Sequence, residues 1–229
     1  MSVPLAAERA DLAHVDCWLF DLDNTLYPLS SGLAEIVSAR ITEFVADLTG
    51  LPAAEAHALQ KRYLADYGLT LAGMVERHGV DPDVYHAMFE DLPLEVIRPD
   101  PVLAASLSRL PGRRLVFTNA DEGHAGRVLR RLGLEALFDD IFHIGSANRS
   151  GGLAPKPKPE AFARLMAAHP LEPSATAFFD DSERNLAPAA ALGMTTVLVG
   201  GGGSPGPAAR YATDDLAGFL AAARLKELP

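Results

Sequence analysis

Apolar residues form short continuous runs near the start and in the second half of the chain, and follow a helical spacing in between. The first run, residues 15–20, leads directly to Asp21 and Asp23, and the turn-forming residues Asn24 and Thr25 follow. A short apolar run bounded by turn residues is typical of a strand buried on both faces of a parallel sheet. Because carboxylates are costly to bury, we predict that the two aspartates mark the end of this strand.

Residues 29–97 have a helical pattern and no convincing strand. Apolar residues recur at three- and four-residue steps, and glycines such as Gly50 and Gly68 end the periodic segments. The predicted helices cover residues 33–48, 52–66, 71–78 and 83–89. We interpret residues 29–97 as an α-helical cap domain that is inserted into a core domain made of residues 12–28 and 98–229.

From residue 98 onward, strand and helix patterns alternate. Strands are predicted at 114–119, 140–144, 175–181 and 195–199, and helices at 102–110, 126–137, 159–168, 183–192 and 213–225, with a polar, glycine-rich loop at 146–155. Such alternation implies right-handed βαβ units and a parallel sheet with helices on both faces. The predicted fold class is therefore α/β, a doubly wound parallel sheet of Rossmann-like form, with a helical cap inserted after its first strand.

Charge and composition narrow the possible partners. The 229 residues are 48% hydrophobic and 22% charged, with a formal net charge of −10. This acidic balance argues against nucleic-acid polymers and anionic membranes as partners, since both need a basic surface. An anionic small substrate would need a cation supplied locally.

The cysteine and histidine content limits metal and disulfide chemistry. Cys17 is the only cysteine, so neither an intramolecular disulfide nor a cysteine-based zinc site is expected. The histidines show no metal-ligand spacing. Residues 1–13 lack the apolar core of a signal peptide, and no stretch approaches the ~20 apolar residues of a membrane span. These features lead us to expect a cytoplasmic protein, and they do not reveal its oligomeric state.

Polar side chains follow three of the predicted strands at the point where each strand ends. They are Asp21 and Asp23, Thr118 and Asn119, and Asp180 and Asp181. In a parallel sheet these ends meet at one edge, which is where open α/β sheets bind ligands. Lys156 lies between prolines, in a segment that is stiff and extended. Taken singly, each feature could be a solvated turn, a loop lysine or an acidic helix start; together they predict a site.

The predicted set of side chains has a definite chemistry. Carboxylates that meet at one edge repel each other unless a cation neutralises them. Oxygen ligands without cysteine or histidine favour Mg²⁺, for which the candidate ligands are Asp21, Asp23, Asp180 and Asp181. Lys156 and Thr118 add donors for a tetrahedral anion. A carboxylate nucleophile, a second carboxylate, Mg²⁺ and a lysine are suited to phosphoryl transfer.

Four motifs in this order resemble those of the haloacid dehalogenase superfamily, and of its phosphatases in particular. The motifs are Asp21-Leu22-Asp23-Asn24-Thr25, Thr118-Asn119, Lys156-Pro157-Lys158-Pro159 and Asp180-Asp181. Further segments resemble the pyrimidine 5′-nucleotidase subfamily. These are Leu26-Tyr27-Pro28, residues 67–74, and Ala120-Asp121 with His124.

The resemblance implies catalytic roles for three residues. Asp21 would attack phosphorus and form an aspartyl-phosphate. Asp23 would protonate the leaving alcohol and then deprotonate the hydrolytic water. Lys156 would balance the charge of the nucleophile and of the transferring group.

The resemblance also implies binding roles. Thr118, with the N–H groups that follow Asp21 and Thr118, would hold the phosphoryl oxygens, and we include Asn119 and Asn24 among the substrate-binding residues. Asp181 would bind Mg²⁺ together with Asp21 and the carbonyl group of Asp23. Asp180 would bind Mg²⁺ through a water molecule or support the residues that bind it, and Asn185 would hydrogen-bond Asp181. Tyr27 and His124 fit either substrate contact or packing.

The activity implied is Mg²⁺-dependent hydrolysis of a phosphomonoester, with a pyrimidine nucleoside 5′-monophosphate such as UMP or CMP as the predicted substrate. Alternatives are a phosphatase for phosphoglycolate or a sugar phosphate, a phosphomutase, a 2-haloacid dehalogenase, and a non-catalytic binding module. Asp23 favours the phosphatase over the dehalogenase, because halide leaves without a proton and an alkoxide needs one. The binding module is disfavoured because every motif residue is present.

Overall fold

The computed structural model describes residues 9–145, 152–202 and 204–226. Residues 146–151 of the predicted polar loop lie outside the described residues. The strands are β1 (Cys17–Phe20), β2 (Arg113–Phe117), β3 (Asp140–Phe142), β4 (Thr176–Asp180), β5 (Thr195–Val199) and β6 (Tyr211–Thr213). They form one parallel sheet in the order β3-β2-β1-β4-β5-β6. The α/β fold predicted from the sequence is confirmed.

The described α-helices lie in the block after β1, between the later strands and after β6. They are α1 (Leu33–Thr49), α2 (Ala53–Tyr67), α3 (Thr70–His78), α4 (Pro82–Ala87), α5 (Pro101–Ser108), α6 (Glu122–Leu132), α7 (Pro159–Ala168), α8 (Glu183–Ala191) and α9 (Leu216–Ala222). None of these helices combines the length and apolar character needed to cross a membrane.

Strand β1 lies at the centre of the sheet, with β2 on one side and β4 on the other. Its side chains alternate between the two faces, as the two-residue period of a strand requires. Trp18 and Phe20 pack with Phe179 in the apolar cluster on one face. Cys17 and Leu19 belong to the cluster on the other face. Both faces of β1 are therefore buried, and the strand is held rigidly up to its last residue.

Helices α1 to α4 share an apolar cluster of their own, which includes Val45, Leu59, Tyr63 and Leu71. Helices α1, α2 and α3 each end at a glycine in the left-handed conformation, where other residues are strained. Helices therefore occupy the block in which the sequence predicted them. The role of this block as a cap domain stays a prediction.

Three predicted boundaries are wrong. Helix α6 ends at Leu132, not Leu137, because Gly133 adopts the left-handed conformation and closes it, and a separate 3-10 turn covers Glu135–Leu137. Helix α6 begins at Glu122, not Gly126, because the Asp121 side chain accepts a hydrogen bond from the His124 N–H (2.9 Å) and caps the helix. The segment predicted as a helix over 213–225 starts with strand β6 and contains only the short helix α9. Three half-buried residues are too short a strand for the apolar pattern to reveal.

Candidate active site

The carboxyl ends of β1, β2 and β4 meet at one edge of the sheet, because these strands are neighbours and parallel. Asp21 follows β1, and its N–H donates to the Phe179 carbonyl of β4 (2.8 Å). Asp180 is the last residue of β4, and Thr118 follows β2 directly. The sheet register thus brings together the polar side chains that the sequence placed at separate strand ends.

Lys156 is the cation at the centre of this edge. Only 1% of its surface is exposed, and its Nζ donates to Asp21 Oδ1, Asp180 Oδ2 and the Phe117 carbonyl, each at 2.7 Å. Burial alone would lower the pKa of Lys156, but the carboxylates of Asp180 and Asp21 raise it above its ordinary value. The ammonium group is therefore charged and fully engaged, and it fixes the direction of the Asp21 carboxylate.

Asp21, Asp180 and Asp181 form a cluster whose carboxylate oxygens lie within 4.8 Å of one another. Burial raises the pKa of Asp21 well above its usual range, although Lys156 opposes this. Burial and the neighbouring Asp180 carboxylate raise the pKa of Asp181 to about 6. One lysine does not neutralise this cluster, and its hard oxygen ligands are those that Mg²⁺ prefers. The residues fit a magnesium site.

The loop after β1 turns sharply at Asn24, which has a left-handed φ of +60°. Among residues other than glycine, asparagine tolerates this conformation best. The turn directs the Asn24 amide toward Asp181, where Nδ2 donates to Oδ2 (3.3 Å). Asn24 therefore supports a candidate metal ligand in this structure, and substrate contact by Asn24 stays a prediction.

Thr118 and Asn119 continue from β2 into the site. Both ends of the Asn119 side chain hold the backbone of Lys156, since Nδ2 donates to its carbonyl (3.1 Å) and Oδ1 accepts from its N–H (2.8 Å). The backbone N–H groups of Leu22 and Asn119 donate to no residue that the structure describes. They are available to bind the oxygens of an anion.

Asp23 is held by two donors from different elements. Tyr27 Oη donates to Asp23 Oδ1 (2.6 Å), and His124 Nε2, in the first turn of α6, lies 3.3 Å from the same oxygen. Burial would raise the pKa of Asp23, but the hydrogen bonds from His124 and Tyr27 outweigh this and lower it. Conversely, burial would lower the pKa of His124, and Asp23 raises it.

A pocket of about 140 Å³ opens beside Asp23, between α6 and the helices that follow β1. Its apolar side chains include Val37, Ile41, Tyr85 and Phe89. Its polar groups come from the strand ends and α6: Asp23, Asn119, Asp121 and His124, with His86 from α4. No lysine or arginine lines it among the residues that the structure describes.

Comparison with known proteins identifies the family. Residues 15–193 match the model of the haloacid dehalogenase-like hydrolases. The chain belongs to this family. The match spans β1 to α8 and includes every strand end that contributes to the site, so the prediction of a hydrolytic enzyme is confirmed at the family level.

Individual relatives give further support to the fold. Phosphate metabolism protein 8 of Saccharomyces cerevisiae is 30% identical over 194 residues, which cover 79% of this chain and 60% of that protein. The HAD phosphatase from Thermococcus onnurineus superposes with a TM-score of 0.63 at 19% identity, over 92% of this chain and 100% of that chain. The L-2-haloacid dehalogenase from Xanthobacter autotrophicus superposes with a TM-score of 0.51 at 16% identity, over 81% of this chain and 77% of that chain. At these identities the two structures show the shared fold.

One contact in this haloacid dehalogenase-like hydrolase differs from the sequence prediction. The Asn185 amide donates to both oxygens of Asp180, at 2.9 and 3.1 Å, and not to Asp181. Asp180 ends the rigid strand and faces the first turn of α8, whereas Asp181 has already turned outward. Ser182 occupies the N-cap position of α8, without a capping hydrogen bond from its side chain.

Sequence reasoning also missed how Asp23 is held in the hydrolase. Residues 22–26 form a tight turn around the left-handed Asn24, closed by a hydrogen bond from the Leu26 N–H to the Leu22 carbonyl (3.0 Å). This turn brings Tyr27 back over Asp23, four residues earlier. Two features of the sequence could have indicated these contacts. One is the four-residue spacing of Asp23 and Tyr27, and the other is Asp121, which caps α6 early enough for the helix to include His124.

Proposed function

We propose that this hydrolase is a Mg²⁺-dependent phosphomonoesterase that acts through an aspartyl-phosphate on Asp21. The observation that carries the proposal is the pairing of two carboxyl groups with different surroundings at one sheet edge. Lys156 fixes Asp21, whereas Asp23 is held by Tyr27 and His124 beside an apolar pocket. A nucleophile next to a separately held proton carrier suits an ester whose leaving group needs a proton.

In the first step, an Asp21 carboxylate oxygen forms a bond to phosphorus while the bond from phosphorus to the alcohol oxygen breaks. The carboxylic acid of Asp23 gives its proton to that oxygen. The phosphate dianion that arrives beside Asp23 raises the pKa of this carboxyl, so substrate binding favours the protonated form. The N–H groups of Leu22 and Asn119 bind the phosphoryl oxygens, and the positive charge of Lys156, whose three donors stay on their protein partners, balances the negative charge at Asp21.

In the second step, Asp23 is a carboxylate and acts as the base. A water oxygen attacks phosphorus, Asp23 takes a proton from this water, and the bond between phosphorus and the Asp21 oxygen breaks. Inorganic phosphate leaves, and Asp23 again holds a proton. Asp21, Asp181 and the Asp23 carbonyl would hold Mg²⁺, and Asp180 would support them. The bound ion would supply positive charge that stabilises the phosphoryl oxygens.

The pocket supports an uncharged leaving group with an aromatic part. Tyr85 and Phe89 offer ring surfaces, and His86 and Asp121 offer polar atoms for hydrogen bonds. Without a lysine or arginine among its described lining residues, the pocket offers no ion pair to a second phosphate or a carboxylate. A pyrimidine nucleoside 5′-monophosphate therefore suits it better than phosphoglycolate.

We further propose that the helices of residues 29–97 act as a cap over the sheet edge. They supply one wall of the pocket through Val37, Ile41, Tyr85 and Phe89. Arg127 of α6 donates to the Phe89 carbonyl (3.1 Å), and Arg184 of α8 donates to the Ala65 carbonyl (3.1 Å). These contacts would hold the cap closed and exclude water from the phosphoryl group.

The test is release of inorganic phosphate from a panel of esters, with and without Mg²⁺. We expect turnover of UMP or CMP that a chelator abolishes, slower turnover of phosphoglycolate, and no halide release from 2-chloropropionate. The Asp21→Asn variant should lose at least about 10³-fold in kcat, as removal of a nucleophile does. Mg²⁺-dependent phosphate release by this variant at the wild-type rate would refute the assignment of Asp21.

A further inference from the structure

We propose that Tyr27 and His124, the two donors on Asp23, are positioning residues. They hold Oδ1 of Asp23 so that Oδ2 faces the leaving group, and this proposal rests on the proposed function. Neither residue touches the phosphoryl group in this assignment. Both act through Asp23, and we call the three residues the Asp23 clamp.

The geometry of the clamp is specific. Tyr27 Oη and His124 Nε2 converge on the same carboxylate oxygen, at 2.6 and 3.3 Å. A carboxylate has two oxygens, and two donors on one of them fix the rotation of the group and leave the other oxygen free. Proton transfer to a leaving group needs such a fixed direction, because the hydrogen bond to the reacting oxygen must form at about 2.6–3.2 Å.

The clamp is rigid because each donor is buried and held from another side. Tyr27 is 4% exposed and His124 is 5% exposed. Tyr27 follows the tight turn of residues 22–26, and His124 lies in the first turn of α6, whose cap is Asp121. The ring of Phe89, which belongs to the proposed cap, packs against the His124 ring, and the two ring centres lie 6.1 Å apart. The Asp23 side chain is 38% exposed, so the two hydrogen bonds from these buried donors are what restrict rotation of its carboxyl group.

His124 has one further property that fits this role. Its Nδ1 is buried and has no hydrogen-bond partner among the described residues. The ring is therefore oriented by its Nε2 contact with Asp23 and by packing, and not by a second polar partner.

The test separates leaving groups that need a proton from those that do not. Nitrophenolate is a stable anion and leaves unprotonated, whereas the alkoxide of a nucleotide needs the Asp23 proton. The parameter is kcat/KM, which reports steps up to departure of the leaving group and excludes hydrolysis of the intermediate. It is measured with p-nitrophenyl phosphate and with the alkyl phosphate that the wild-type chain hydrolyses fastest, which we expect to be UMP.

We expect Tyr27→Phe and His124→Asn each to lower kcat/KM for the alkyl phosphate on the order of 10- to 100-fold, part of the usual contribution of a general acid. For p-nitrophenyl phosphate we expect a change within about threefold. The later step also needs Asp23 as a base, so kcat for p-nitrophenyl phosphate should fall, with a burst of nitrophenol equal to the enzyme concentration.

The chain offers a matched control. Tyr63 Oη and His78 Nε2 form another tyrosine–histidine pair, at 2.9 Å, away from the pocket. Tyr63→Phe removes a similar hydrogen bond and should leave the ratio of the two kcat/KM values unchanged. An equal loss on both esters in Tyr27→Phe and His124→Asn would overturn the clamp and leave the phosphatase function standing. A wild-type chain that hydrolyses neither ester would overturn both proposals.

Discussion

At the scale of single residues, the most demanding position in the fold is Lys156. Its ammonium group is buried between two carboxylates and between the rings of Phe117 and Phe178, whose centres lie 5.1 and 5.3 Å from Nζ. Burying a charge is costly unless partners compensate for it. Here each charge needs the others, so one ion triad determines both the local stability and the direction of the candidate nucleophile.

Replacement of this lysine should therefore damage the fold as well as the activity. Lys156→Met leaves Asp21 and Asp180 buried without their cation, and we expect it to lower the free energy of unfolding by about 3–5 kcal/mol. The measurement is urea unfolding in the presence of a chelator. The difference in unfolding free energy between the wild type and the variant should shrink at acidic pH. There the folded variant keeps a proton on the pair formed by Asp21 and Asp180, so less negative charge is buried.

The control is the nearby Lys158→Met. Lys158 forms no ion pair with the described residues, and its loss should change the unfolding free energy by less than about 0.5 kcal/mol. If Lys156→Met proved as stable as Lys158→Met, the triad would not be the stabilising element that we infer.

At the scale of elements, two glycines in helices have opposite surroundings. Neither Gly73 of α3 nor Gly126 of α6 has a positive φ, so an alanine suits the backbone at both. A Cβ atom on Gly73 would lie 2.5 Å from Cγ of Tyr63, because α2 and α3 pack in close contact there. A Cβ atom on Gly126 would meet only the exposed guanidinium group of Arg130, at 3.4 Å.

The same substitution should therefore have opposite effects on stability. We expect Gly73→Ala to cost about 1–3 kcal/mol through overpacking. Gly126→Ala should gain about 0.5–1 kcal/mol, because alanine loses less conformational entropy in a helix. Thermal unfolding of the two variants against the wild type measures both values. A stable Gly73→Ala variant would show that α2 and α3 separate easily.

At the scale of the whole molecule, the sequence predicts the sheet better than the contacts within the site. Short continuous apolar runs that alternate with helical patterns determine a parallel sheet, and a parallel sheet brings its strand ends to one edge. Asp21, Thr118 and Asp180 therefore converge without any information on side-chain direction. Strand β6 escapes prediction because it is short, half-buried and at the edge of the sheet.

The contacts that depend on side-chain direction could not be predicted in this way. Whether Tyr27 packs or donates to Asp23 depends on the tight turn of residues 22–26. Whether Asn185 meets Asp180 or Asp181 depends on where β4 stops and α8 starts. Each contact would change if the boundary of a turn or helix moved by one residue, and such boundaries are the least reliable part of any sequence-based assignment.

The distribution of aromatic residues gives the molecule two optical reporters. Trp18 is the only tryptophan, and it lies in β1, stacked on Phe179 and donating to the Pro111 carbonyl (2.6 Å). Three of the five tyrosines, Tyr63, Tyr67 and Tyr85, lie in helices α2 and α4. Tryptophan fluorescence therefore reports on the sheet, and tyrosine absorbance reports mainly on the helices after it.

These two signals can be followed in a single denaturant titration. If residues 29–97 form a domain of their own, we expect the tyrosine signal to change at a lower urea concentration than the Trp18 fluorescence. Coincident transitions would show instead that the chain unfolds as one cooperative unit. The indole buried in β1 is thus a natural fluorophore for the strand that presents the candidate nucleophile, and it needs no engineered label.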